Sequence, residues 1–319
     1  MATRGSYRGV TAAVFGASGF IGGWIARALT DAGADVVLVA RSAAAVASGL
    51  HGPTASVIEA DLSREAAVRG VLSKTRPAVI FNLAGYGVDR SERDERLAQT
   101  INAELPRWIV EALAGADEQS WTGQRLVHVG SALEYGEIGG DLSEASGPNP
   151  TTMYGKTKLA GSLAVARACT AHGVRGVTAR LFTVYGAGEH AGRLLPTLIG
   201  SRAHSERIPM SAGLQRRDFT YVEDVAEGLL RLGCSSATVP GEIVNLATGQ
   251  LTSVREFASE AARVLGIPPD RLAFGALATR AEEMQHDPVS VSRLRQLLGW
   301  VPSTPIAEGV RRATRSSER

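Results

Sequence analysis

The chain has 319 residues, with hydrophobic residues at 44%, charged residues at 21% and a formal net charge of +2. That length supports one large domain or two modest ones, and the balance excludes a fibrous or disordered chain. The small net charge implies no polyanion-binding surface, so no nucleic-acid partner is expected.

Val10–Phe15 reads as a first β-strand and Gly19–Ala32 as a following helix stopped by Gly33. The stretch behind Arg4 and Arg8 is broken by glycines at 16, 19, 22 and 23 before it can form a signal peptide or a membrane span, and a cytoplasmic protein is expected. Val36–Ala40, Ser56–Glu59 and Ala78–Leu83 are further strands, and a polar helix is expected over Ser91–Ala114, with Pro106 as its weak point. Arg125–Val129 is a fifth strand, Tyr154–His172 a helix and Val177–Leu181 a sixth strand. Alternation of short apolar strands with Ala-rich helices predicts an α/β fold, a Rossmann-type doubly wound parallel sheet. Gly186–Arg217 is irregular, as expected of a smaller C-terminal substrate-binding lobe, while Ile243–Leu246 is expected back in the sheet and Val254–Leu265 and Arg293–Leu298 as helices. The division expected is a cofactor domain over 1–185, joined by segments near 219–250, and a lobe mainly over 186–319. Arg311, Arg312, Arg315 and Arg319 read as a frayed, solvated tail. The two cysteines, Cys169 and Cys234, have no metal-site spacing, so neither a disulfide framework nor a metal centre is expected.

Gly16-Ala17-Ser18-Gly19-Phe20-Ile21-Gly22 follows a strand and opens a helix. Glycines there allow a tight turn and close approach of a pyrophosphate, while the helix N-terminus offers amides and partial positive charge. The second strand ends in Arg41-Ser42 with no acid. An Arg and a hydroxyl clamp a ribose 2′-phosphate, whereas a carboxylate would repel it, so NADP(H) is the expected cofactor. Tyr154 and Lys158 lie one helical turn apart. An ammonium favours the phenolate, and lowering a tyrosine from about 10 to neutrality requires about 4 kcal/mol. That pair, with the Ser131 hydroxyl at the tip of the fifth strand, suits general acid–base chemistry.

The Gly-x-x-Gly-x-x-Gly spacing, the Val129–Gly136 segment around Ser131, and Tyr154-x-x-x-Lys158 together resemble the extended short-chain dehydrogenase/reductases, in their NAD(P)-dependent epimerase/dehydratase branch. The resemblance implies Ser131, Tyr154 and Lys158 as the catalytic residues, with Lys158 also holding the ribose. On the cofactor side it implies Gly16, Ser18, Gly19, Phe20, Ile21, Gly22, Asp61, Leu62, Leu83, Ala84, Gly85, Asn102 and Phe182, besides Arg41 and Ser42. Arg180–Gly186, Gly192–Pro196 and Gln215–Val225 resemble its nucleotide-sugar members. This implies substrate contacts at Thr183, where an Asn is commoner, and at Arg193, Leu194, Arg217 and Arg280, with Asp218 and Asp224 structural.

Sugar-nucleotide dehydratases of that family follow the Ser/Thr with acids; here Ala132 and Leu133 stand there and Glu134 is displaced onto another face. The sequence therefore points to an NADPH-dependent 4-ketoreductase of a nucleotide-activated deoxysugar, expected as a homodimer through the Ser91–Ala114 and Tyr154–His172 helices. The alternatives are an NDP-sugar epimerase, which recycles its cofactor, and a reductase of non-sugar carbonyls, which would tolerate loss of Arg217. A non-catalytic NADP-sensing module is disfavoured by the intact Tyr-Lys pair.

Overall fold

The computed structural model describes residues 5–47, 55–89, 91–116, 120–138, 140–278 and 288–317. Its strands are β1 Thr11–Phe15, β2 Asp35–Ala40, β3 Ser56–Glu59, β4 Val79–Asn82, β5 Leu126–Ser131, β6 Gly176–Leu181, β7 Thr183–Tyr185, β8 Ile208–Met210, β9 Arg216–Tyr221, β10 Glu242–Leu246, β11 Leu251–Ser253 and β12 Leu272–Phe274. The helices are α1 Phe20–Asp31, α2 Ala43–Ala47, α3 Glu65–Thr75, α4 Glu95–Gln99, α5 Leu105–Ala114, α6 Met153–His172, α7 Leu194–Gly200, α8 Val222–Cys234, α9 Val254–Leu265, α10 Ser292–Leu298 and α11 Ile306–Ser317.

Seven strands form a parallel sheet in the order β10-β6-β5-β4-β1-β2-β3. This is the doubly wound Rossmann arrangement expected from the alternating pattern. Strands such as β4 and β6 are buried at every position, because helices cover both faces. One core packs α1 and α8 on one face, with Trp24, Ile25, Leu29, Val225, Leu229 and Phe257 among its members. A second packs α3, α5 and α6 on the other, around Leu72, Trp108, Ile109 and Val165. Parallel strands place all their C-terminal ends on one edge, and the order reverses between β1 and β4, where such sheets open a ligand crevice. A mixed sheet, β11-β9-β7, and a two-stranded sheet, β12-β8, build the smaller lobe beside that edge.

Several elements depart from expectation. The helix over Ser91–Ala114 begins only at Glu95, where Asp94 caps it by accepting from the Leu97 amide at 3.0 Å. Between α4 and α5, Thr100–Glu104 form a π-helical turn closed by Leu105 N–H to the Thr100 carbonyl. Pro106 accounts for the break: it has no N–H for the carbonyl four residues back. Helices α3 and α8 were not expected, and Gly186–Arg217 contains α7 and β8. The arginine tail is corrected too. Arg311, Arg312 and Arg315 lie on α11, which buries Val310 and Ala313 completely, and Arg312 pairs with Glu308 and with Glu223 of α8; Arg319 lies outside the described residues.

Candidate active site

The glycine loop leaves β1 at Gly16, whose φ of +80° is the left-handed region that glycine tolerates. A Cβ there would stand 2.7 Å from the Ala84 nitrogen, and one at Gly22 would collide with the Gly16 carbonyl. Those two glycines therefore close the loop onto β4 and onto its own helix. Gly19 is different, since a Cβ there would meet only the Gly16 carbonyl at 3.3 Å. No side chain caps α1 and no acid lies in its first turn, so its leading amides face an open cradle. A dinucleotide pyrophosphate fits that cradle by shape and by charge. Ser18 and Gly19 are exposed, Phe20 and Ile21 half-buried, and Leu83–Gly85 continue from β4 beside the loop, with Leu83 N–H donating to the Phe15 carbonyl at 2.9 Å.

Arg41 and Ser42 are exposed at the end of β2. Asp61 is exposed after β3, its carboxyl held below the usual range by hydrogen bonds from Ser63, helped by the nearby charges of Arg64 and Arg41. The Leu62 side chain is buried in the core. Sequence reasoning missed Glu59, which pairs in register with Ala40 and whose Oε1 accepts from the Ala43 amide at 2.8 Å. The end of β2 thus has an arginine of its own and a carboxylate lent by the neighbouring strand. No signal along the chain marks Glu59, because only strand pairing brings it there.

Asn102, expected on the cofactor side, sits in the wall of the crevice. It is fully buried on the π-helical turn, and its amide is used internally. Oδ1 accepts from Tyr86 N–H at 3.0 Å, while Nδ2 donates to the Tyr86 carbonyl at 2.7 Å and to Thr157 Oγ1 at 2.9 Å. It ties the loop after β4 to α6, and so holds the wall of the crevice.

Ser131 ends β5, and α6 starts behind the Thr152 cap with Tyr154 in its first turn. The Ser131 side chain lies near enough to the Tyr154 phenol to favour its phenolate. Lys158, 2% exposed, donates to the Val129 carbonyl at 2.5 Å. The three residues expected to act together are therefore brought together. Their electrostatics depart from expectation: the Tyr154 phenol is pushed above its ordinary value, chiefly by burial, with the charges of Glu134 and Glu92 adding to it. Ser131 and Arg193 pull the other way and are outweighed. Burial also holds the Lys158 ammonium down at about 8, against the pull of Glu134. The expected lowering by the lysine is not seen, and burial of the phenol prevails.

Two loops flank this centre. Gly87 and Asp89 amides both donate to Glu92, at 2.7 and 3.3 Å. Opposite, the loop after β7 covers the start of α1, with Trp24 Nε1 donating to the Ala187 carbonyl at 2.8 Å. Glu189 in that loop lies 3.5 Å from Arg193, and burial pushes its carboxyl up to about 7. Arg193 caps α7 with its side chain half exposed, and Leu194 follows as the first helical residue. Phe182 packs against Ala247, Val289 and Val291, and Thr183 opens β7 in register with Phe219. Arg217 is half-buried on β9, two residues before that pairing. Arg280 lies outside the described residues.

Asp218 is a clasp. It accepts from Thr220 Oγ1, from Thr248 N–H and Oγ1, and from the Gly249 and Gln250 amides, at 2.7 to 3.2 Å. Asp224 accepts from the Ser303 and Thr304 amides and Thr304 Oγ1, fastening the segment before α11 to α8. Among the described residues no cluster of potential metal ligands occurs, and no helix is long and apolar enough to cross a membrane.

The NAD dependent epimerase/dehydratase family model matches residues 12–247. The chain is 30% identical to a dTDP-6-deoxy-L-talose 4-dehydrogenase (NAD(P)(+)) of Kitasatospora kifunensis, over 94% of this chain and 93% of that one. It is 27% identical to the UDP-glucose 4-epimerase of Mycolicibacterium smegmatis, covering 93% and 95%. Among solved structures, MoeE5 in complex with UDP-glucose and NAD is 27% identical, with a TM-score of 0.82 and coverage of 97% of this chain and 99% of that one.

Proposed function

The chain belongs to the NAD dependent epimerase/dehydratase family, within the extended short-chain dehydrogenase/reductases, and from that premise we propose that it is an NADPH-dependent reductase of a keto group, at C4, on a nucleotide-activated deoxysugar. The observation that carries the reading is the gathering of Ser131 at the end of β5, Tyr154 in the first turn of α6 and Lys158, whose ammonium donates to the Val129 carbonyl of β5, at the crevice edge of the sheet. A phenol placed there is a proton donor, which is the role reduction requires. When bound, NADPH supplies the hydride. Gly16, Gly19 and the leading amides of α1 receive its pyrophosphate, and Arg41 with Ser42 its 2′-phosphate. Ser131 donates to the carbonyl oxygen, Tyr154 gives that oxygen its proton, and Lys158 replaces part of the hydration the phenolate loses. Arg193 and Arg217, with Arg280, are assigned to the substrate diphosphate, bidentate guanidinium pairing suiting its oxygens. Ala132 and Leu133 provide no acid and base for eliminating water, which argues against a dehydratase. We also assign the protein a cytoplasmic site and a homodimer packed through α4, α5 and α6.

Glu59 favours a second reading, an epimerase of the same fold. A carboxylate beside Arg41 opposes a 2′-phosphate, and epimerases retain NAD. One assay separates the two. Stoichiometric loss of NADPH absorbance on adding a dTDP- or UDP-4-keto-6-deoxysugar is expected, with Tyr154→Phe lowering kcat by about 10²- to 10⁴-fold while sparing NADPH affinity. Interconversion of a sugar nucleotide without net cofactor change would replace reduction by epimerisation.

A further inference from the structure

The sheet hides a carboxylate directly behind the reacting groups. Glu134 is fully buried in the turn after β5. Its Oε1 accepts from Ser131 N–H at 2.8 Å and from Ser162 Oγ of α6 at 2.9 Å, and its Oε2 accepts from Arg180 Nε of β6 at 2.8 Å. Gly130 makes the room: a Cβ there would stand 2.6 Å from Oε1. Arg180 is 2% exposed, and its guanidinium lies 4.5 Å over the Tyr135 ring, whose hydroxyl donates to Asn245 Oδ1 at 2.7 Å. Asn245 in turn donates to the Leu142 and Ser290 carbonyls, in the two segments that bridge at Leu142 and Val289. A polar chain thus runs from the Ser131 amide through β6 and β10 to the lobe.

Burying two charges is costly, and an ion pair of this kind adds little stability over apolar residues of the same size. Its position suggests another use. The Ser131 hydroxyl accepts from Leu133 N–H at 3.2 Å, so serine and carboxylate cap the same turn reciprocally. With both ends of the turn tied, the Ser131 backbone is fixed and its hydroxyl keeps one hydrogen to donate into the crevice.

We propose that Glu134, anchored by Arg180, is a positioning residue for the reduction, holding the Ser131 amide so that the Ser131 hydroxyl is aimed at the substrate carbonyl beside Tyr154. The proposal rests on the reductase reading. The groups facing Tyr154 are Ser131 and Glu134 from β5 and its turn, Glu92 from the loop before α4, and Arg193 from the loop before α7, with Lys158 on its own helix; the groups facing Glu134 are Arg180, Ser162 and Lys158. The charge of Glu134 also favours the phenol and the ammonium, the protonation states that reduction starts from.

The test replaces the ion pair as a unit, which keeps the interior free of a lone charge. Glu134→Met/Arg180→Met removes acceptor and charge, whereas Glu134→Gln/Arg180→Met keeps an acceptor for the Ser131 amide. The methionine pair is expected to lose about 30-fold or more in kcat with KM and NADPH affinity within about twofold, and the glutamine pair to recover most of it, a misplacement of about 1 Å being worth about 10²-fold. Wild-type kcat in the methionine pair, or equal losses in both, overturns the proposal. Should the methionine pair not fold, Glu134→Asp decides. It leaves Arg180 a carboxylate but is one methylene too short for the Ser131 amide, so lowered kcat at unchanged KM supports positioning and full kcat refutes it. Wild-type enzyme in the same assay tests the reductase reading separately, since its failure to oxidise NADPH leaves nothing for Glu134 to position.

Discussion

The two halves of this molecule build their halves of the crevice in opposite ways. On the cofactor side the groups proposed to meet the ligand are main-chain atoms: the Gly16 turn, the open ground at Gly19 and the uncapped start of α1. On the lobe side those proposed are long side chains, Arg193 and Arg217, the second carried on the strand that the Asp218 clasp fastens. A backbone site tolerates almost no change in its glycines. A side-chain site tolerates change in its tips but not in its clasps.

The hardest blow to the first half is Gly22→Ala. The added methyl collides with the Gly16 carbonyl and must push the loop out of register, so NADPH affinity is expected to fall about 10²-fold by fluorescence titration. Wild-type affinity would mean that the loop does not define the cofactor cradle. For the lobe, Asp218→Ala leaves buried amide and hydroxyl donors without an acceptor and is expected to destabilise the protein by about 3 kcal/mol in urea unfolding. Little change would make Asp218 a bystander rather than a clasp.

Arg41 and Glu59 sharpen the contrast, being a side-chain device within the backbone half. Arg41→Ala is expected to lower the NADPH-to-NADH ratio of kcat/KM about tenfold, equivalent to about 1.4 kcal/mol. Glu59→Gln should raise the same ratio, by about threefold, because a repelled phosphate gains a neutral neighbour. Movement of both ratios in one direction would show that the two side chains do not act on the same phosphate.

The smallest effect concerns Lys158. Its amine sits at about 8 in the folded protein, against about 10.4 for an unfolded chain. Between those values the unfolded chain binds more protons, so stability rises with pH across that window, and below about 8 the full penalty of a buried ammonium remains. Comparing cofactor-free wild type with Lys158→Met cancels the other titrations. The Tm difference should move in favour of wild type by a few degrees from pH 8 to pH 10, and a flat difference would show that Lys158 is not held down.

The parallel sheet was legible because continuous apolar strands such as Val79–Asn82 can exist only between two covering layers. Helices α3 and α11 were not. α11 buries only Val310 and Ala313 completely among many charges, so its low average hydrophobicity reads as a solvated tail despite a clear amphipathic period. The same divide runs through the site. Gly16–Gly22, Ser131, Tyr154 and Lys158 announce themselves by local spacing. Glu59 takes its meaning from the strand beside it and Tyr154 from the depth at which it sits, neither with a signature along the sequence; the Ser131-x-x-Glu134 spacing marks a capped turn, but only β6 supplies the Arg180 partner.

The turn after β5 constrains the serine in one more way. Its oxygen already receives the Leu133 amide, and a hydroxyl has a single hydrogen to offer. That hydrogen can point at the phenol or at an incoming carbonyl, not at both together. A ketone that takes this hydrogen leaves the phenol with only its own hydrogen to give: occupancy of the cleft itself sets the donor order.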